Sequence, residues 1–271
     1  MRHLGELIEA RAADDLSPID APDTPRELRP LVDATTQVMG RLQRLLDHQK
    51  RFVRDSAHQL RTPLAVLKAQ VQSARRGDVP TGQALTEISD TVERATTLAN
   101  QMLSLAKVEQ LRQQPEWQVL DLGETVRQLA LDLSPLMADK ALDVELSVGA
   151  APMLVRAHHW MLQELARNLL HNAIKHSPRG GALRVRVRAE GETTVFVVGD
   201  QGPGISDELR QRLFAPFAAG DVASGSGLGL AICREIVLAL SGSIALDNRE
   251  SGGQRDGLDA VVRLPRVGDN R

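Results

Sequence analysis

Three stretches of this chain combine residue types that can do chemistry together. The first is His58-Gln59-Leu60-Arg61-Thr62-Pro63. On a helix, His58 and Thr62 lie one turn apart on the same face. An imidazole that is neutral for part of the time near pH 7 is a nucleophile. Pro63 has no N–H for the carbonyl of Gln59, so the helix is expected to bend just beyond the histidine. The second stretch is Glu164, Asn168, Asn172 and Lys175-His176, the first three spaced by four. Amides and a lysine along one helix face make a cradle for a metal-bound polyphosphate. Asn172 is a neutral oxygen ligand of the kind Mg²⁺ accepts when phosphates supply other positions. The third has two glycine-rich parts: Asp200-Gln201-Gly202-Pro203-Gly204-Ile205 after a candidate strand, and Gly225-Ser226-Gly227-Leu228-Gly229-Leu230 opening a candidate helix. Glycines let backbone N–H groups approach phosphate, and a helix start adds a favourable dipole. The second run is not a Rossmann fingerprint, since no strand–turn–helix unit of that spacing precedes it, nor a P-loop, since no Lys-Ser/Thr follows. Taken singly, each stretch has a plain alternative: a solvated histidine beside an incidental proline, an amphipathic helix with a polar outer face, a flexible loop.

The elements that must position these residues fall into two textures. Val53, Ala57, Leu60, Leu64, Leu67, Val71 and Ala74 alternate 4-3-4-3, and Leu85, Ile88, Val92, Ala95, Ala99, Met102 and Ala106 alternate 3-4-3-4. These are two heptad seams joined by a turn over 75–82. Helices joined so closely are antiparallel neighbours. One hairpin cannot enclose both stripes, so residues 32–113 are expected to form half of a dimeric four-helix bundle. With Ala57 and Leu60 at the seam, His58 and Thr62 face solvent. Residues 114–271 change to strands mixed with helices: a strand near 119–122, a helix carrying Leu129, Leu133 and Met137, and a strand at Leu142, Val144, Leu146 and Val148. A helix over 158–176 follows, then strands in which Leu183, Val185 and Val187 alternate with arginines, a helix near 227–241, and closing strands near 243–248 and 258–264. The fold class is α + α/β: a helical hairpin followed by a two-layer α/β sandwich. Residues 1–31 carry Pro18, Pro22, Pro25 and Pro30, which exclude a continuous helix and suit a linker.

Composition excludes several classes. The 271 residues include 33 basic and 35 acidic side chains, a net charge of -2 with no field to attract nucleic acid. Aromatics are 2% with no Tyr, too few for base-stacking platforms. The single Cys233 excludes an intrachain disulfide and suits a small packed residue in a reducing compartment. No apolar run approaches the roughly 20 residues of a membrane span, and the charged start is no signal peptide. His158-His159 suit a helix start better than a metal site, because no third ligand is evident. Trp117 and Trp160 suit packing.

In this order the motifs resemble the sensor histidine kinases of two-component signalling, over about residues 32–265. His58 to Pro63 resembles that family's phosphoacceptor box, Asn168 to Ser177 its N box, and Asp200 to Ile205 its first glycine box. Phe214 to Phe217 resembles the F box, and Gly225 to Leu230 the second glycine box. Residues 1–31 resemble the tail of a HAMP module, whose membrane helix would lie upstream. The resemblance implies a homodimeric, ATP- and Mg²⁺-dependent enzyme on the cytoplasmic side of the membrane. It would phosphorylate His58 and pass the group to an aspartate of a response regulator receiver domain, and Thr62 would support the reverse, phosphatase activity. Asp200 would accept the adenine amino group and Asn172 would hold the metal. Asn168, Lys175 and His176 would line the phosphate path, together with Gly202, Gly204, Ile205, Phe214, Gly225, Gly227, Leu228 and Gly229 around the nucleotide.

Two features depart from that pattern. Where the family commonly has an acidic residue after the histidine, Gln59 stands and cannot act as a base. The expected lid, 218–225, carries no Lys or Arg, leaving charge neutralisation to Mg²⁺, Lys175 and backbone amides. Two rival readings follow: a hydrolytic ATPase on the same nucleotide fold, and a nucleotide-binding scaffold without catalysis. The first needs a glutamate four residues before the metal-binding asparagine, a position held here by Asn168. Glu164 would fill it only if Asn168 were itself the metal ligand.

Overall fold

The computed structural model describes residues 28–113, 117–210, 212–217, 227–251 and 254–268. Expectations for residues 1–27, for Gly225 and for the lid fall outside the described residues. Helix α1 spans Arg29–Arg76 and runs through Pro63 as one helix. Pro30 sits in its first turn, where a missing N–H costs nothing. Gly77 stops it at φ 78°, its N–H closing on the carbonyl of Ala74, while Arg75 and Arg76 in the last turn oppose the helix dipole. Helix α2, Thr81–Arg112, follows at once. The chain divides into two compact units at Ala95/Thr96, within α2.

In the first unit the hairpin buries Ala84 and Thr91, one position before the expected Leu85 and Val92. Leu85 stays 62% exposed and Val92 45%, as do Leu64 at 57% and Val71 at 40% on α1. Each helix therefore carries more apolar surface than its single neighbour covers. A stripe wide enough for two neighbours places its inner edge at 84 and 91 and leaves 85 and 92 outside.

The second unit is built on β1 (Gln118–Asp121), α3 (Leu122–Asp132), α4 (Ser134–Asp139), β2 (Asp143–Val148), β3 (Leu154–Ala157), α5 (His159–His176), β4 (Ala182–Glu190), β5 (Thr193–Asp200), α6 (Asp207–Arg210), α7 (Gly229–Ala239), β6 (Ser243–Ser251) and β7 (Gln254–Pro265). The single helix expected through Leu129, Leu133 and Met137 is two, because Pro135 cannot donate to the carbonyl of Leu131. The Ser134 hydroxyl donates there instead, at 2.7 Å. Strand β3, which pairs antiparallel with β1, was not expected; at four residues it is too short to show alternation. The Asp121 carboxylate caps α3, accepting from the N–H of Gly123 at 2.9 Å and of Met153 at 3.1 Å.

The main sheet has the order β2-β4-β5-β7-β6, parallel between β2 and β4 and antiparallel elsewhere. Leu183, Val185 and Val187 are buried on one face with Phe196, Val198, Ala260, Val262 and Leu264, and the arginines between them lie on the other. Helices α3, α5 and α7 pack together, α5 resting on β5 and α7 on β6. This is the expected two-layer sandwich.

Candidate functional site

Helix α5 is divided lengthwise by its sequence. Met161, Leu162, Leu165, Ala166, Leu169, Leu170, Ala173 and Ile174 are buried, so the row Glu164, Asn168, Asn172, Lys175 and His176 is turned into a cavity of about 920 Å³. Asp200, Gly204 and Ile205 line the same cavity from the first glycine loop, and Gly227 and Gly229 from the second. Val198, Leu246, Leu258 and Ala260 supply an apolar wall, suited to a flat heterocycle. Three expected residues stand behind the lining: Gly202 lies beneath Asp200, Leu228 is fully buried before α7, and Phe214 is half-buried. A Cβ on Gly229 would approach Asn168 Oδ1 to 3.0 Å, so glycine is what lets the start of α7 come up against the amide row. The Asn168 amide nitrogen donates to the Glu164 carbonyl at 2.8 Å and to its carboxylate at 3.1 Å, which ties the glutamate to the helix.

Asp200 closes the polar end. Its Oδ1 accepts from the N–H of Gly202 at 2.7 Å. Burial pushes its carboxyl above the usual range, opposed by the N–H groups of Gly202 and Leu258 and by His176 and Arg249. Burial also holds Lys175 low, and burial with the Lys175 charge holds His176 low against the pull of Asp200. Two supports escaped sequence reasoning. Lys140 Nζ donates to the carbonyls of Ile174, Lys175 and Ser177 at 2.8, 2.7 and 3.0 Å, capping the end of α5 that carries Lys175 and His176. Gln201 Oε1 accepts from the N–H of Ala182 at 2.7 Å, tying the first glycine loop to β4. Both pairings join residues far apart in the chain, so no local signal announces them.

Among the described residues no group of three His, Cys, Asp or Glu is placed to hold a metal. Asn172, half-buried in the cavity wall, suits Mg²⁺ only as a partner to phosphate oxygens and water. His158 is no ligand: its ring packs against Trp117 with centroids 5.2 Å apart, and Nε2 lies 3.0 Å from the Leu111 carbonyl. Trp160 lies under Lys107 Nζ at 4.4 Å, and Cys233 is buried in the core. In the first unit His58, Gln59 and Thr62 are all exposed on α1.

A hairpin with an exposed histidine, followed by a mixed-sheet sandwich whose amide-bearing helix and glycine loops share one cavity, defines the class of histidine kinases. Comparison with known proteins agrees. Residues 48–111 match the model of the His Kinase A (phospho-acceptor) domain, and residues 159–267 that of the histidine kinase-, DNA gyrase B-, and HSP90-like ATPase. The chain is 33% identical to the sensor protein QseC of Salmonella typhi over 97% of its own length and 58% of that relative's. It is 32% identical to the sensor protein BasS of Salmonella typhimurium over 98% of its length and 74% of that protein's. The histidine kinase ThkA, solved in complex with the response regulator protein TrrA, shares the fold at a TM-score of 0.67 and 20% identity, covering 92% of this chain and 70% of that one. The chain belongs to the sensor histidine kinase family, and it spans little more than half the length of its QseC relative.

Proposed function

We propose that this chain is the catalytic part of a sensor kinase, with 1–31 a linker, 32–113 the dimerisation and phosphoacceptor domain, and 114–271 the ATP-binding domain. ATP occupies the cavity, its adenine amino group donating to Asp200 and its phosphates running along Asn168, Asn172, Lys175 and His176 towards the glycines before α7. Asn172 holds Mg²⁺, which when bound neutralises phosphate charge. A nitrogen of His58 attacks the γ-phosphorus; the N–P bond forms as the bond to the ADP oxygen breaks, and the imidazole proton goes to solvent because Gln59 cannot take it. Positioning and charge neutralisation carry such a transfer. The observation that carries this reading is the shared cavity of the α5 amide row, Asp200 and the second glycine loop.

The test is γ-labelled ATP. Wild type should gain acid-labile, alkali-stable label. His58→Ala should gain none while binding ATP as before, because residue 58 lies in the other compact unit. Label on His58→Ala would refute the acceptor, and inorganic phosphate release without label would favour the hydrolytic reading.

The phosphoryl group then passes to an aspartate of a response regulator, the kind of partner seen with ThkA. Thr62, one turn beyond His58 on the exposed face, orients water against the regulator's phospho-aspartate. Thr62→Arg should abolish dephosphorylation of the regulator and leave autophosphorylation of His58 at a comparable rate; equal loss of both would assign Thr62 no such role. Among the described residues no helix is long and apolar enough to cross a membrane. Attachment of the parent protein to the membrane is assigned to a segment upstream of these residues, as the HAMP-like texture of 1–31 suggests.

A further inference from the structure

The loop Asp200–Ile205 brings the Asp200 carboxylate to the cavity, and two neighbouring residues of β6 fasten it at both ends. Asn248 Nδ2 donates to the Ile205 carbonyl at 2.8 Å and its Oδ1 accepts from the Ile205 N–H at 2.8 Å. One side-chain amide thus satisfies both backbone polar groups of one residue, a pairing no apolar or purely acidic side chain reproduces. At the other end Arg249 donates to the Asp200 carbonyl at 2.6 Å and to the Asp256 carbonyl at 3.0 Å, while its second guanidinium nitrogen holds the Asp259 carboxylate. The β6–β7 register slips directly after Arg249, as where a bulge re-aims a side chain. Glycines clear the space. Gly204, at φ 69°, would bring a Cβ to 2.6 Å from Asn248 Oδ1, and Gly257, at φ 136°, would drive one into the Asp200 carbonyl oxygen. Neither Asn248 nor Arg249 lines the cavity, whereas Leu246 on the same strand does.

We propose that Asn248 and Arg249 are positioning residues that set the strength and the adenine selectivity of nucleotide binding, by fixing the loop on which Asp200 sits. The inference rests on the nucleotide reading above. A held carboxylate accepts a hydrogen bond from the 6-amino group of adenine and repels the 6-carbonyl of guanine, which points a lone pair at it. A loop freed at either end lets the carboxylate withdraw, which weakens the first contact and relieves the second. Loosening should therefore cost ATP more than GTP.

The experiment measures ATP and GTP binding and the KM and kcat of autophosphorylation for the full chain, for Asn248→Ala, for Asn248→Asp and for Arg249→Lys. Asn248→Asp keeps the acceptor for the Ile205 N–H and sets a carboxylate against its carbonyl. Arg249→Lys keeps the charge and loses the fork. Asn248→Ala should raise the KM for ATP about tenfold, with kcat at saturation within about twofold and the ATP-over-GTP preference reduced. The other two should fall between it and wild type. Variants that fold and keep wild-type KM and preference would overturn the proposal, as would a fall in kcat with KM unchanged. Should Asn248→Ala melt below the assay temperature, Arg249→Lys decides by the same criteria. A wild-type chain that binds neither nucleotide overturns the nucleotide reading itself, which separates that failure from failure of the clamp.

Discussion

The two compact units treat apolar surface in opposite ways. In the sandwich Phe196, Leu165, Ile232 and Val262 are fully enclosed by the unit's own chain. In the hairpin Leu64 and Val71 on α1 and Leu85 and Val92 on α2 remain open to solvent. The sandwich closes its core by layering three helices on a sheet, which needs nothing from outside. Two helices cannot close a stripe that each carries on more than one side, and the cover expected from the heptad seams is a second copy of the same hairpin. The unit with the cavity thus closes its own core, and the unit that carries His58 does not.

That contrast can be broken by one substitution, with the largest effect expected of any. An exposed leucine on a monomeric hairpin would tolerate Leu64→Asp within roughly 0.5 kcal/mol. In a dimer the same change buries a carboxylate without a partner, at a cost large enough to dissociate or unfold the bundle. The wild-type chain should sediment as a dimer and Leu64→Asp as a monomer, with melting of the sandwich and ATP binding retained. A concentration-independent monomer for wild type would remove the contrast.

How far the sequence foretold each unit follows from the range of its interactions. The hairpin is written locally. Heptad spacing placed both helices, and His58 is exposed as expected, although Ala57, expected in the seam beside it, is exposed as well. The exact facing differed by one residue along part of both helices, since periodicity marks a stripe without saying which edge meets which neighbour. Ser56, Pro63 and Gln70 are half-buried where Ala57, Leu64 and Val71 are exposed, and Ala84 and Thr91 are buried in place of Leu85 and Val92. In the sandwich, β4 and α5 were legible because alternation and an amphipathic face are local too. The supports of the site were not. Lys140 caps α5 from 34 residues away, and Asn248 holds Ile205 across 43. Polar pairs at such separations leave no period in the chain. The motifs therefore named most of the residues that line the cavity and left out those that hold the motifs in place.

A second test concerns the cavity. Asp200 has its carboxyl raised by burial, so the folded state holds the proton more tightly than the unfolded chain. Burying the ionised form costs stability once the pH rises above the unfolded value, and that cost is complete above the folded one. In the proposed reading the adenine amino group donates to the ionised form. Affinity should therefore fall on acidification at a pH above the ordinary carboxylate range. Asp200→Asn should lose ATP affinity by about tenfold or more at neutral pH, the scale of a hydrogen bond to a charged group. Its melting temperature should not fall, because the Gly202 N–H keeps an acceptor and the buried charge is gone. Calorimetric titration across pH, with melting of both proteins, checks both halves. A lower melting temperature for Asp200→Asn would mean that the carboxylate stabilises the sandwich, and the separation of binding from stability would fail.

The smallest effect is expected at the open site, where one residue departs from the family pattern. Gln59 follows His58 directly on α1, and both are exposed. General-base assistance is typically worth ~10²-fold or more when donor and acceptor are aligned. Consecutive residues on a helix point about 100° apart and do not face each other, so a carboxylate at 59 reaches the imidazole proton only through water or from an altered rotamer. Gln59→Glu should accordingly speed autophosphorylation by only a few-fold. The gain should appear in kcat with the KM for ATP unchanged, since residue 59 belongs to the unit without the nucleotide cavity. Initial rates of label incorporation at saturating and limiting ATP separate the two parameters. A rise of a hundredfold would show that the side chain at 59 meets the proton directly in the reacting complex, and no rise would show that solvent already takes the proton fast enough. Either result locates the slow step at the exposed acceptor, which measurements at the cavity cannot reveal.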